Sequence, residues 1–321
     1  HLNVRDANAD SAQIGYHHPN GEWWYNSGLY LKPNTWTHIA LVVRPTSISI
    51  VKDGVRATHT GRNVAATNFT ENFTVGTMDG ADWYRTFIGE IDEVAVYKRA
   101  LTDDEIRNTM HLTKNNPQYP TQTDPDLISY YQFNEDAGTP LYDRIGSKDG
   151  AFAGSNISRV TSTGPFSGGV SETLPAVTLG ENKVFSTAGI TLKFPASGTY
   201  PTGTVTAYRL DEKPYLTQPD TILNKYWIVR NWGTAKRFSG LESITFAGAT
   251  LNPAFLSNAA NYHFQARPQN SHTSNWFVNT VKANAVQVAP INEIRSPGSD
   301  VTLFGQYILS EKEEPCVSIP T

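Results

Sequence analysis

Short apolar runs, each closed by Gly, Pro, Asn or Asp, recur along the chain and predict strands. "WTHIALVVR" (36–44) and "SISIVKDGVRA" (47–57) read as two strands joined by a turn at Arg44-Pro45-Thr46. Within the second, "KDGV" carries the Asp-Gly pair that favours a tight hairpin turn. "NFTVGTM" and "FIGEIDEVAVYKR" continue the series. Then the pattern changes once. "ALTDDEIRNTMHL" places Thr102 as N-cap with Glu105 three residues later, a capping box, and Leu101 and Ile106 at the staple positions. A helix of about two turns, ending near Leu112, is predicted there. The segment "TKNNPQYPTQTDPD" is rich in Pro, Asn and Thr and marks a boundary. Beyond it come "LISYYQFNE", "GAFAGS" and "SRVTS". From about Ser171 a second series follows: "NKVFSTAGITLKF", "GTVTAYRL", "KYWIVRNW", "LESITFAG", "NYHFQARP", "NWFVNTV", "NAVQVAPI" and "VTLFGQYIL". Such short strands with turn signals between them predict a β-sandwich over 171–310.

Composition narrows the functional classes. A chain of 321 residues has room for two or three domains, and 39% hydrophobic content is enough to build their cores. The net charge of −4 gives no electrostatic basis for holding nucleic acid or an anionic membrane. The single cysteine, Cys316, excludes an internal disulfide framework and a cysteine-based zinc cluster. No apolar run is long enough for a spanning helix. The start "HLNVRDANAD" lacks the basic and apolar regions of a signal peptide and reads as part of something longer. The tail 311–321, "EKEEPCVSIPT", reads as a linker to a further module.

Four features between about Leu29 and Leu112 occur in a familiar order: "PNTWTHIALVV", with Trp36 and His38; the hairpin "SISIVKDGVRA"; "FTVG"; and the closing strand with its helix, "FIGEIDEVAVYKRALTDDEI". Together they resemble the C-terminal half of a laminin-G-like jelly roll of the concanavalin A-like lectin/glucanase superfamily. Such a jelly roll uses roughly a dozen strands, more than the sequence supplies before the helix. "DLISYYQFNEDAGTPLYDRIGSKDGAFAGS" resembles the opening strands of the same family, as a partial repeat. The expected organisation is therefore all-β: a truncated concanavalin A-like jelly-roll sandwich over 1–113, a linker over 114–125, a partial repeat over 126–170, a second β-sandwich over 171–310 and a linker over 311–321. This order of modules resembles large surface proteins of the Bacteroidota. It implies a secreted or cell-surface location, reached through the type IX secretion system.

The superfamily includes glucanases, so the acids of "EIDEVAVY" need weighing. A retaining glycosidase needs two carboxyl groups about 5–5.5 Å apart. Glu90 and Asp92 alternate onto one face of a regular strand, but the third acidic position is Val94 or, with a bulge, Ala95. Glu93 would point to the opposite face. Serine-elbow, phosphate-loop, dinucleotide and zinc-protease motifs are also absent from the sequence. The chain is thus expected not to be an enzyme.

Binding candidates remain. Trp23, Trp24 and Tyr25 are consecutive and cannot all face one core, and Trp83 and Tyr84 follow Asp79 and Asp82. Exposed rings stack on pyranoses while nearby acids bond the hydroxyls, although aromatic strands more often cap a sandwich edge. Asp6, Asn8 and Asp10 place oxygen side chains at alternate positions, and calcium is the ion they would take, yet the loop lacks the glycine and terminal glutamate of an EF-hand. Asp136, Asp143 and Asp149 are weaker calcium candidates, and His17 and His18 are an unpersuasive metal pair. Trp227, Trp232 and Trp276 are expected in the core of the second sandwich. If the implied origin holds, Ser11 and Thr221 lie in O-glycosylation triplets, which an intact mass would reveal. No cofactor is required. The expected partners are a glycan or surface protein, with secretion-system components if the chain is exported cargo. The expected role is that of a non-catalytic fragment acting in adhesion, in glycan or protein binding, or as a spacer; an accessory binding region of a larger secreted glycosidase or peptidase, and secretion-system cargo captured with its transporter, are the alternatives.

Overall fold

The computed structural model describes residues 2–8, 11–17, 23–24, 26–61, 72–77, 86–114, 116, 123–136, 138, 140–153, 157–215, 224–251, 262–268, 271, 276, 286–288, 293–298 and 301–311. It is mostly β, with several antiparallel sheets and one short α-helix among the described residues.

The first sheet joins β1 (Leu2–Asn8), β2 (Ser11–His17), β3 (Trp23–Trp24) and β4 (Tyr30–Leu31), with β2 paired to all three others. A three-stranded meander follows: β5 (Ile39–Arg44), β6 (Ser47–Lys52) and β7 (Val55–Thr60). Strand β6 is buried on both faces. Ile48 and Ile50 pack with Ile14 and Tyr16 of β2, while Val51, on the other face, packs with Val42 and with Ile106 of the helix. Each such fully buried aliphatic side chain contributes roughly 1.5–3 kcal/mol. The β6–β7 turn bears out the Asp-Gly signal, with Asp53 at φ +48° and Gly54 at φ +77°.

Next come β8 (Val94–Tyr97) and helix α1 (Asp103–Thr109). The capping box is present: Thr102 Oγ1 accepts from Glu105 N at 3.2 Å, and the Glu105 carboxylate accepts from Thr102 N at 2.7 Å. At the other end, Lys114 Nζ donates to the carbonyls of Thr109 (2.5 Å) and Leu112 (2.7 Å), which satisfies acceptors that a helix terminus leaves open.

Strand β9 (Leu127–Tyr131) pairs antiparallel with β8, Val94 opposite Tyr131 and Tyr97 opposite Leu127. The chain beyond the helix thus returns to the domain that precedes it. Trp36 Nε1 donates to Thr163 Oγ1 at 2.8 Å, and Thr113 N donates to Ser167 O at 3.0 Å.

The remaining strands form two facing sheets. One has the order β10 (Gly169–Leu174), β13 (Val205–Leu210), β14 (Tyr226–Asn231), β19 (Gly305–Glu311), β16 (Tyr262–Pro268). The other has the order β11 (Asn182–Phe185), β12 (Ile190–Lys193), β15 (Leu241–Ala247), β18 (Glu293–Gly298), β17 (Val286–Val288). Ile190, Leu192, Ile244 and Phe246 meet Val205, Ala207, Trp227, Val229 and Leu309 in the core between them. All six residues of β14 are buried, because both its faces are covered. Its alternate side chains, Tyr226 and Ile228, join Tyr208, Leu210 and Ile308 beneath Met110 and Leu112 from the end of α1. The two parts of the molecule therefore share a hydrophobic cluster.

Several expected strands differ. Residues 72–77 are irregular, with Phe73 65% exposed and Gly76 at φ +82°. "FIGEIDEVAVYKR" is extended only over Val94–Tyr97 as a ladder, because Glu93 sits at φ +56° and breaks the alternation before it. "GAFAGS" contributes a single bridge, Gly150 to Leu141, and "SRVTS" lies outside any strand. Trp276 is described, but most of "NWFVNTV" lies outside the described residues. Strands β1 to β4, β10 and β18 have no counterpart among the predicted runs. Trp227 is in the sandwich core as expected. Trp232 is not: it is half-buried on the outer face, beside the first domain.

Candidate functional site

The acidic segment comes first, since it carries the enzymatic question. Glu90 is exposed. Asp92 folds back so that its Oδ1 accepts from Glu93 N at 2.9 Å. Burial raises the Asp92 pKa, against a hydrogen bond from Ser162. Glu93 turns inward through its left-handed backbone and accepts from the Tyr130 hydroxyl of β9. Tyr130 Oη in turn accepts from Lys114 N (3.0 Å) and Gln132 Nε2 (3.3 Å). Burial is the main cause pushing the Glu93 pKa up, with Tyr130 and then Lys114 opposing it, and burial likewise pushes Lys114 down. These acids are engaged in holding β8, β9 and the end of α1 together. A carboxyl pair opposed across an open cleft, as glycoside hydrolysis requires, is not formed by the described acids of this segment.

The aromatic candidates divide. Trp24 is half-buried, stacked on His59 at 4.9 Å and tilted against Tyr16 at 5.8 Å. Tyr16 Oη lies 2.9 Å from His59 Nδ1. Trp24 also packs on the Ile14–Ile50 cluster, so it seals the edge of that core while its neighbour on β7 is an imidazole. Trp23 lies on β3 opposite His17. Tyr25, Asp79, Asp82, Trp83 and Tyr84 lie outside the described residues. The geometry thus places Trp24 beside Tyr16 and His59, a grouping that no spacing in the sequence announces.

Of the calcium candidates, Asp6 and Asn8 lie on β1, paired with Ala12 and Ser11 of β2, and Asp10 lies outside the described residues. The segment is a hairpin arm rather than a loop at these two positions. Asp143 and Asp149 do come together: Asp149 Oδ1 accepts from Asp143 N at 3.0 Å. Asp143 Oδ1 accepts from the amides of Tyr130, Ile145 and Gly146, at 2.9, 3.1 and 3.0 Å. Its pKa is lowered: those amides and Ser129 outweigh the burial that opposes them. The carboxylate thereby pins β9 to its following turn. Among the described residues no three His, Cys, Asp or Glu side chains are grouped for a metal. Of the glycosylation candidates, Ser11 is on β2 and Thr221 lies outside the described residues.

A further group of residues was not visible in the sequence pattern. At the joint between the two parts, two guanidinium groups approach the Trp232 ring, Arg107 at 4.9 Å and Arg230 at 5.1 Å from its centre. Arg230 Nη2 donates to Asp53 O (3.2 Å), Arg107 Nε to Gly54 O (3.0 Å), and Tyr208 Oη to Arg107 O. Asn108 meets Ser171 and Thr173 of β10, at 2.8 and 2.6 Å. The hairpin tip and helix of the first domain are therefore seated on β10, β13 and β14 by polar contacts around the shared apolar cluster.

The chain has no match among curated proteins or solved structures. One family model does match, Laminin G 3, described as the Concanavalin A-like lectin/glucanases superfamily, over residues 1–107. That region holds β1 to β8 and most of α1, the elements just described, and residues 1–107 are accordingly a concanavalin A-like domain, followed in this chain by further β-sheets.

Proposed function

We propose that this chain is a non-catalytic binding segment of a secreted or cell-surface protein, recognising a glycan or a surface protein through its concanavalin A-like domain. The observation that carries this reading is the fate of the acidic segment. Asp92 is bonded to its own chain, and Glu93 is bonded to Tyr130 beneath the surface, so neither is free to act on a glycosidic bond. A superfamily that both binds and cuts sugars then leaves binding as the role this scaffold supports. The setting that goes with it is the outer surface of a Bacteroidota cell, reached through type IX secretion, and it rests on the order of modules in the sequence. A glycan array probed with folded protein, with and without a calcium chelator, tests the binding. Retention of a defined glycan class without release of reducing sugar is the expected result. Sugar release, or no retention in either condition, would overturn the lectin form of the proposal.

A further inference from the structure

Where α1 ends, the chain turns His111 inward, leaving it 4% exposed. Its ring is gripped by three elements. Nδ1 lies 2.6 Å from Pro165 O, on the segment after β9. Nε2 lies 3.4 Å from Arg230 Nη1 on β14. Tyr208 of β13 meets the ring edge-on at 4.8 Å. A carbonyl only accepts and a guanidinium only donates. Both contacts are therefore satisfied by one species, the neutral imidazole with its proton on Nδ1. A second proton, on Nε2, would turn an acceptor into a cation facing the Arg230 cation.

His38 stands on the same side of the joint. Its Nδ1 is buried without a partner, and its backbone N donates to Asp53 Oδ1 at 3.1 Å. Burial first, then Lys114, hold its pKa down to about 4, with Asp53 opposing and Arg230 adding to the depression. His111 is held well below its usual value by burial and then Arg230, with the Pro165 carbonyl opposing and His38 and Lys114 adding. The groups facing the pair are thus Arg230, Lys114, Asp53, Tyr208 and Pro165 O, and Lys236 adds positive charge near Arg230. Two imidazoles whose protonated forms are disfavoured lie in the seam that fixes the first domain to the second sandwich.

We infer that this seam is an acid-operated latch: protonation of His111 and His38 loosens the concanavalin A-like domain from the sheet of β13 and β14 while the sandwich core stays folded. The core supports that separation, since no residue of its hydrophobic cluster takes up a proton between pH 7 and pH 4. The β8–β9 side responds in the opposite sense. Glu93 and Asp92 have raised pKa values because burial outweighs the hydrogen bonds and the Lys114 charge that favour their ionised forms, so uptake of protons there removes buried negative charge. For His38 alone, moving from neutral pH to pH 4 lowers the closed-to-open ratio about a hundredfold, and His111 adds to this.

Hydroxyl-radical footprinting of the whole chain reads the latch directly, since Met110 (7% exposed) and Trp232 line the seam and Trp227 (0% exposed) marks the sandwich core. Between pH 7 and pH 4, oxidation of Met110 is expected to rise about fivefold and that of Trp232 about twofold, with Trp227 unchanged. The double substitution His111→Gln and His38→Gln keeps an amide that both donates and accepts but takes up no proton, and it is expected to abolish the rise. Unchanged labelling of the wild-type chain at pH 4 would overturn the inference. So would Trp227 labelling in step with Trp232, or a double variant that opens like the wild type. Should the double variant not fold, NMR titration of the wild-type histidines decides: a His111 or His38 that titrates near 6.5 overturns the latch.

Discussion

Gly54 lies directly under the indole of Trp232: a Cβ at Gly54 would stand 2.5 Å from Trp232 Cζ3 and 3.1 Å from Arg107 Cγ. The hairpin tip of one part of the molecule is thus in van der Waals register with the sheet of the other. Gly54 is also at φ +77°, so Gly54→Ala incurs two costs, the left-handed backbone and the contact. Gly61 separates them, because it has φ +74° with nothing within 4 Å of its Cβ position. Gly61→Ala should cost about 1 kcal/mol. Gly54→Ala should cost roughly 1–3 kcal/mol more, the usual range for overpacking. Urea denaturation of both variants checks this, and equal losses would show that the Trp232 contact carries no weight.

Thr102 caps α1 through its hydroxyl, and Glu105 returns the bond to Thr102 N. Thr102→Ala should destabilise the chain by about 1 kcal/mol. Hydrogen bonds from Thr102, backbone first, hold the Glu105 pKa below the usual value. That contribution is present above the unfolded pKa and is lost as pH falls through the folded one. The difference between wild type and variant should accordingly shrink in acid, as read from denaturation midpoints at pH 7 and pH 3.

What the sequence revealed follows from which forces are local. The capping box at Thr102 and the Asp53-Gly54 turn are set by residues within a few positions of each other, and both are found as read. Strands β12 to β15 declare themselves because each sends apolar residues into one core. Strand β14 reads as a strand, but its second buried face requires knowing that Met110 and Leu112 cover it. Trp232 reads as another core ring because, although Arg230 stands two residues before it, nothing in "YWIVRNW" signals Arg107 arriving from α1. Glu93 reads as part of a regular strand because nothing in "EIDEVAVY" signals its left-handed backbone or the Tyr130 hydroxyl that its carboxylate meets. The candidate site suffers most from this. Trp24 stands out in the sequence through its neighbours Trp23 and Tyr25, yet its partner is His59, on another sheet.

The pairing of β8 with β9 gives the matched region 1–107 a dependence on later residues. Without β9, Glu93 loses the Tyr130 hydroxyl and β8 loses its ladder partner. Without β13 and β14, Met110 and Leu112 lose their cover. A fragment ending at Thr113 should therefore show no cooperative thermal transition, since it leaves a buried-type carboxyl unsatisfied and apolar side chains exposed. A fragment with a sharp transition at the temperature of the full chain would show instead that the domain is complete without β9.

Glu93 also predicts a pH dependence with a definite sign. Burial raises its pKa above the unfolded value, more than Tyr130 and Lys114 lower it. The folded state therefore holds a proton that the unfolded state releases. The contribution is fully present below the unfolded pKa and is lost as pH rises through the folded one. Glu93→Gln keeps an oxygen to accept from Tyr130 and has no charge to bury. At pH 5, where the native carboxyl is largely protonated, variant and wild type should be of similar stability. At pH 8 the variant should be the more stable by about 1–3 kcal/mol, because only the wild type buries an ionised carboxylate there. Paired urea titrations at the two pH values measure the difference. A variant less stable than wild type at pH 8 would mean that the Glu93 charge, balanced by Lys114, holds the joint between β8, β9 and α1 in its ionised form.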